Sequence, residues 1–204
     1  MIYAYYDKKA GDSYLKNKKG LNIFLFVILV ICFFTIAWLY PYSLFSIQKS
    51  FTYHPDHIVV QEYTKDLNEF KKIHEESLRD DLVSSRTAGV LTMYEQDWFM
   101  SDKKIKIHFQ DLDVILTEVR NTRNTLLELA LNEGYSQEAK EYLKMNIQQL
   151  VAIEERIVGL MNSKHHSRST LILQFKNLQQ AFMESLDIYV SFYKDYLLNS
   201  SNIG

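Results

Sequence analysis

Histidines and carboxylates are the residues most able to support metal or acid–base chemistry, and one short run groups them. The run HPDH places two imidazoles, His54 and His57, beside the carboxylate of Asp56, and such groups are common zinc ligands. The run also fits a helix start, because Pro55 restricts the turn and Asp56 can accept hydrogen bonds from unpaired backbone N–H groups. We predict a helix cap at Asp56 and no metal site.

Other motifs with known chemistry are incomplete or missing from the sequence. His74-Glu75 begins like a zinc-protease motif, but Leu78 occupies the position of the second histidine. His74 also falls on an apolar stripe, where we expect a core histidine. The six glycines are isolated, whereas phosphate-binding loops need clustered glycines. The sequence predicts no catalytic residue, no cofactor and no metal ion, and we expect a protein that is not an enzyme.

A long apolar run follows the charged N-terminal tail. From Ile23 to Tyr40 the one clearly polar side chain is Thr35, and a helix of about 20 apolar residues crosses a bilayer. Signal peptides have shorter apolar cores that end at small residues, whereas this run ends at the bulky residues WLYP. The sequence predicts a retained transmembrane helix over residues 21–40 rather than a cleaved export signal.

The distribution of lysines predicts the orientation of this helix. Residues 1–20 carry five lysines, and residues 41–60 carry only Lys49. Because positive residues that flank a span stay on the cytoplasmic side, we expect a cytoplasmic tail over 1–20 and a chain outside the cell membrane from a connector, 41–56, onward. The outer part contains no cysteine, a composition that suits a bacterial cell envelope.

The part beyond the span is mildly acidic and poor in turn-forming residues. The tail takes five of the 23 Lys and Arg and two of the 25 Asp and Glu, which leaves the rest of the chain with a formal charge of −5. Nucleic-acid binding requires many cations to neutralise phosphates, so that class of function is excluded. Only six Gly and two Pro occur in 204 residues, which indicates long helices with short connections.

Apolar residues recur at helical spacing along the outer part. The first predicted helix follows Asp56 and continues in a second piece that is interrupted near 84–89. The second begins at Asp102, is capped by Ser101 and ends at Gly134. We predict that a third helix begins at Ser136 and that a fourth runs from about Ser169 to Leu198.

Short connections between these helices make neighbours antiparallel. The predicted fold is all-α, with a single N-terminal transmembrane helix followed by an antiparallel, roughly four-helix bundle. The bundle covers residues 57–198, and residues 199–204 form a C-terminal tail.

The fourth predicted helix carries more apolar residues than a core stripe needs. Between Leu171 and Leu198, 17 of 28 residues are apolar, whereas a core-facing stripe accounts for about three in seven. Either the helix is central and covered by the first region, or it presents a docking face to a protein partner. The candidate partner face consists of Tyr189, Phe192, Tyr193, Tyr196 and Leu197.

A second candidate surface is basic. In an up-down bundle that starts at the membrane, the turns near residues 100 and 165 both fall at the far end. The candidate basic tip consists of Lys103, Lys104, Lys106, Lys164, His165, His166 and Arg168. Lysines in the first turn of a helix oppose its dipole, so we expect this tip to bind an anionic envelope polymer or an acidic partner.

These patterns leave three classes of function open. The leading hypothesis is a membrane-anchored, extracytoplasmic helical bundle that acts as a non-enzymatic protein-interaction or scaffold subunit at the cell envelope. One alternative is a ligand-sensing helical bundle that works with a membrane partner. The other is a membrane immunity or stress-protection protein. In each case the lipid bilayer is itself a partner.

Overall fold

The computed structural model describes residues 2–47, 49–77, 79–131 and 134–201, with backbone alone for residues 2–19, 200 and 201. Helices account for 77% of the structure, so the prediction of a mostly helical chain is confirmed. The elements are α1 Ile2–Leu39, β1 Ser50–Tyr53, α2 His57–Glu76, α3 Leu82–Tyr94, α4 Asp97–Met100, β2 Ile105–His108, α5 Phe109–Ala130, α6 Gln137–Met161 and α7 Arg168–Ser201.

The first helix contains the predicted span. Among the described residues, one stretch, Gly20–Leu39, is long and apolar enough to cross a membrane, and none of it is buried by the rest of the chain. The backbone of the predicted tail is helical from Ile2 and continues into this stretch. The helix ends at Leu39, just before Pro41, which cannot continue the hydrogen-bond ladder.

Two of the helices that follow, α2 and α3, begin at aspartate caps. Asp56 Oδ1 accepts a hydrogen bond from the Ile58 N–H at 2.9 Å, which confirms the cap predicted at HPDH. Asp81 caps α3 in the same way through the Ser84 N–H at 2.7 Å. The interruption predicted near 84–89 is wrong, because α3 runs unbroken through those residues.

Two short strands correct the all-helical prediction. The helix predicted to start at Asp102 begins at Phe109, and Ser101 follows α4 instead of capping a new helix. The preceding residues form β2, which pairs antiparallel with β1. The reason is the alternation in IKIH, which buries Ile107 and exposes Lys106 as a strand with one buried face requires.

The remaining helices follow the predicted pattern more closely. Ser136 caps α6 by accepting from the Ala139 N–H at 2.9 Å, as predicted. The α5 helix ends at Ala130, so Gly134 does not terminate it directly. Packing neighbours are α2 and α3, α3 and α5, α5 and α6, α6 and α7, and α7 and α2.

Five helices, α2, α3, α5, α6 and α7, pack in this succession, and the predicted four-helix arrangement is not confirmed. Two helices, α2 and α3, occupy the place expected for one. Successive helices alternate in direction, so one extra helix reverses the direction of every helix after it. As a result α5 and α7 lead away from α1, and α6 returns toward it.

The reversal changes which turn lies beside the span. Arg168, the first residue of α7, donates from Nε and Nη2 to the Trp38 carbonyl at 3.3 Å. The turn between α6 and α7 therefore lies next to the C-terminal end of α1, at what we call the α1-proximal end of the helical domain (residues 50–201). The prediction that this turn lies far from the span is wrong.

Candidate interaction sites

The candidate partner face lies mostly in the core. Tyr189, Phe192 and Tyr193 are fully buried, so of the two alternatives left open by the sequence these three residues fit the central, covered helix and not the docking face. Helices α3 and α2 cover the two tyrosines: Tyr189 Oη lies 2.7 Å from Thr87 Oγ1, and Tyr193 Oη lies 3.0 Å from His74 Nδ1. The Phe192 ring packs against Tyr135, which precedes α6. The apolar surplus of α7 is thus explained by its central position.

The last two members of that face are partly buried. Tyr196 and Leu197 pack against the core, and Tyr196 Oη donates to Asp81 Oδ2 at 2.6 Å. Because Asp81 also caps α3, this contact ties the end of α7 to the start of α3. These two residues therefore join helices within the domain.

Buried hydroxyl groups link the helices across the core. Tyr94 Oη lies 2.8 Å from Ser185 Oγ, and Ser185 donates to Asn146 Oδ1 at 2.6 Å. Burial raises the pKa values of Tyr63, Tyr94 and Tyr189 well above the usual tyrosine range, so these hydroxyl groups remain protonated donors. The network joins α3, α6 and α7 through neutral groups.

The histidines of the sequence motifs have structural surroundings. His74 is buried, as predicted, and burial lowers the pKa of its imidazole. His57 lies at the start of α2 with its Nδ1 3.7 Å from Asp102 Oδ2, and both side chains are exposed. Among the described residues, no group of three or more His, Cys, Asp or Glu side chains is arranged to hold a metal ion.

The seven residues of the candidate basic tip divide into two groups. Lys164, His165, His166 and Arg168 belong to the turn at the α1-proximal end, where Arg168 also lies 5.2 Å from the Trp38 ring centroid. Lys106 lies within β2, opposite Thr52.

Lys103 and Lys104 lie at the end of the strand pair where Tyr53 pairs with Ile105, which is the end farther from α1. Tyr53 in turn contacts Phe175, about 10 Å along α7 from Arg168 at 1.5 Å per residue. The lysines before β2 therefore lie beside a level about 10 Å along α7 from the other group.

A cleft between α3, α4, β2 and α5 was not predicted. Its volume is about 650 Å³, and Trp98, Ile107 and Ile115 form a buried apolar floor. Val114 stands at its edge with 62% of its surface exposed. The floor residues come from three separate elements, so no local spacing in the sequence brings them together.

The edges of this cleft are acidic. Glu95, Asp97, Asp111 and Glu118 line it, and none of the described lining residues is Lys, Arg or His. Glu95 is paired with Lys71, and the Asp111 carboxylate accepts from the His108 N–H at 2.7 Å. Asp97, Asp111 and Glu118 form no ion pair within the described part of the chain, so three of the four carboxylates have no cationic partner there, and the side chains of Asp97 and Glu118 also have no backbone donor among the described residues.

The connector between α1 and β1 also divides into two environments. Tyr42 is buried, with its ring 5.9 Å from Phe51 and 5.6 Å from Phe109. The neighbouring residues Leu44, Phe45 and Ile47 are exposed. The sequence predicts a connector here. Its composition does not distinguish the buried Tyr42 from the exposed Leu44, Phe45 and Ile47.

Comparison with known proteins finds no family model, no curated protein and no solved structure that matches this chain.

Proposed function

We propose that this protein is a membrane-anchored, non-enzymatic interaction subunit of the cell envelope. In this proposal α1 spans the cell membrane once with its N-terminus in the cytoplasm. The helical domain lies outside, where the cleft between α3, α4, β2 and α5 binds a segment of a protein partner. The partner segment carries lysine or arginine beside aliphatic side chains.

The anchor is supported by the exposed apolar stretch and by charge asymmetry. Gly20–Leu39 has a mean hydropathy of 2.7 and no burial against the domain, which suits a helix surrounded by lipid. Five lysines precede it and few follow it, and this asymmetry favours a cytoplasmic N-terminus. External protease should therefore digest the helical domain of intact cells, and protection until lysis would contradict this orientation.

The acidic cleft is the observation that carries the interaction proposal. Its apolar floor offers burial to aliphatic side chains, and the uncompensated carboxylates of Asp97 and Glu118 offer ion pairs at its edge. Complementary charge steers association and selects between partners. A basic, aliphatic segment of a partner fits both features, whereas an acidic segment would be repelled.

Site-specific photocrosslinking in native membranes tests this assignment. A photoreactive residue at Val114, at the cleft edge, should give one discrete crosslinked product. The same residue at Val158, on α6 with 37% of its side chain exposed, should not give that product.

Charge reversal supplies the second arm of the test. Glu118→Lys should reduce the Val114 product several-fold, because it places a cation opposite the basic partner. Glu155→Lys, an exposed residue on α6, is the matched control and should leave the product unchanged. Equal products from both positions, or a product insensitive to Glu118→Lys, would contradict the proposal.

A further inference from the structure

We propose that the α1-proximal end of the helical domain is a membrane-seated surface. Leu44, Phe45 and Ile47 insert into the lipid interface, and Lys49 and Lys164 bind anionic lipid headgroups. This proposal rests on the proposed function in one respect, since it requires α1 to span the membrane. It adds a second contact with lipid, made by the domain itself.

The position of Phe45 indicates how deep the connector reaches. Its ring packs edge-on against Phe33, with 6.1 Å between the ring centroids. Phe33 precedes the last residue of α1, Leu39, by six residues, which is about 9 Å along a helix. The connector therefore folds back beside the final turns of α1, at the depth where a spanning helix leaves the lipid.

The exposure of the same segment is the second observation. Leu44 and Ile47 are each 82% exposed and Phe45 is 58% exposed, although Tyr42 in the same stretch is 5% exposed. Three large apolar side chains thus point away from the domain core within four residues. Lipid at this depth would bury them, and each buried apolar side chain contributes favourably to membrane association.

Cations lie at the same end of the domain. The Lys49 carbonyl accepts from the Phe109 N–H at 3.1 Å, which fixes exposed Lys49 beside the start of α5. Lys164 is exposed in the turn between α6 and α7. Arg168 is a positioning residue, because its guanidinium holds this turn at the level of Trp38.

Trp38 relates that level to the membrane. Tryptophan at the end of a transmembrane helix lies at the headgroup level, so the turn held beside it reaches the lipid phosphates. Each lysine near an anionic leaflet favours association by roughly fivefold. The cations and the exposed apolar side chains share one end, which suits a lipid interface better than a polymer dissolved in water.

The full-length chain in vesicles tests the geometry, with Cys32→Ser as background so that single labels can be introduced. A fluorophore at Ile47→Cys is challenged with lipids brominated in the acyl chain. A fluorophore at His165→Cys is challenged with lipids that carry a nitroxide on the headgroup. The control label is at Leu131→Cys, which is 83% exposed beyond the far end of α5. Both test labels should be quenched several-fold more than the control.

The charge contribution is tested by lipid selectivity. Spin-labelled phosphatidylglycerol and phosphatidylcholine report which lipid contacts the reconstituted chain. Lys164→Glu should lower the preference for phosphatidylglycerol, and high salt should lower it further. Lys194→Glu is the matched control, because this exposed lysine lies on α7 about 39 Å beyond Arg168. The tail lysines contribute equally to every variant.

The outcomes separate this proposal from the proposed anchor. Extraction of the chain from vesicles at alkaline pH would overturn both. A chain that is retained, but whose labels at residues 47 and 165 are quenched no more than the label at 131, would overturn the seated surface alone. A third outcome is a label at residue 165 that is not quenched by the labelled lipids but changes its fluorescence when polyglycerol phosphate is added. This result would assign the turn to an anionic polymer and overturn the lipid proposal.

Discussion

Two apolar regions of this chain have opposite environments. The C-terminal half of α7 buries Tyr189, Phe192 and Tyr193 among helices, whereas the connector after α1 leaves Leu44 and Ile47 exposed. Both stretches are rich in large apolar residues, so composition alone does not separate a core from a contact surface.

The polar atoms within each region explain the difference. Along α7 the tyrosine hydroxyl groups meet partners on other helices, such as Thr87 and His74. A buried hydroxyl group needs such a partner, because an unpaired one costs about 1–3 kcal/mol. The exposed side chains of the connector carry no polar group that would require a partner inside the domain. The buried tyrosines of α7 thus carry hydroxyl groups that are paired within the domain, whereas the exposed side chains of the connector are purely apolar.

The largest expected effect comes from truncating one aromatic side chain in each region. Phe192→Ala should lower the free energy of unfolding by about 3–5 kcal/mol, because it leaves a cavity in the core. Phe45→Ala should change it by less than about 0.5 kcal/mol, since most of that ring faces outward. Denaturant unfolding of the full chain in detergent micelles measures both values, and equal losses would break the comparison.

Alkaline pH should weaken the α7 region through its neighbouring tyrosines. Burial raises the pKa of Tyr53 to about 12, and those of Tyr63, Tyr94 and Tyr189 lie higher still. Because the folded state holds these protons more tightly than the unfolded state, their stabilisation is complete below about pH 10. It then falls by about 1.4 kcal/mol per pH unit for each such tyrosine.

Unfolding measured between pH 9 and pH 12 checks this dependence. Tyr189→Phe should make the decline above pH 10 shallower, because it removes one of the buried protons. Tyr40→Phe, outside the core, is the control and should leave the slope unchanged. A stability that stays constant up to pH 12 would show that the hydroxyl groups are not buried as described.

A smaller effect is expected from the hydroxyl network. Ser185→Ala removes the group between Tyr94 and Asn146 and should cost about 1–3 kcal/mol, because two buried partners lose a hydrogen bond. Ser191→Ala, six residues along the same helix, removes a hydroxyl that donates to the Asp187 carbonyl of its own helix, and should stay within about 0.5 kcal/mol of the unsubstituted chain. Similar losses for both would argue against a special role for the network.

The smallest expected effect concerns the contact between α1 and the domain. Arg168→Gln removes a cation beside the Trp38 ring, a contact that contributes about 0.5–1 kcal/mol at an exposed site. The domain should remain folded, with unchanged circular dichroism, while a spin label at Leu44 becomes more mobile. Unchanged mobility of the label would indicate that the connector keeps its position without Arg168.

Local signals predicted two of the helix starts. Asp56 and Ser136 precede apolar residues at helical spacing, and each caps the helix expected there. Apolar residues at helical spacing in α6 are buried, Leu143, Leu150 and Ile157 among them. Such features depend on neighbours within one helical turn, so a single sequence contains enough information to find them.

Non-local features were missed for physical reasons. Strands β1 and β2 are four residues each and pair across three intervening helices, so neither stretch is long enough to show its period. Ile105 also lies seven residues before Leu112, a spacing that fits a helix, so the apolar pattern does not show where β2 ends and α5 begins. The cover over α7 comes from α2 and α3. The sequence left this as one of two alternatives, because the pattern of α7 alone cannot choose between a covered helix and a docking face.

The position of the basic turn depended on counting helices. The apolar pattern predicted little more than one helix where the structure has α2 and α3. With that count, residues 164–168 fell at the end of the bundle far from the span. Each additional helix moves every later turn to the opposite end, so one miscount displaced all four candidate residues in that turn. Arg168 beside Trp38 corrects the count.

Distances between paired spin labels in lipid test this orientation most directly. In a Cys32→Ser background, Leu44→Cys is combined with either His165→Cys or Leu198→Cys. The account predicts a short distance for the pair 44 and 165 and a distance longer by tens of Å for the pair 44 and 198. Residue 198 lies about 45 Å along α7 from Arg168, at 1.5 Å per residue. The reverse order, with residue 165 far from residue 44 and residue 198 close to it, would contradict the account.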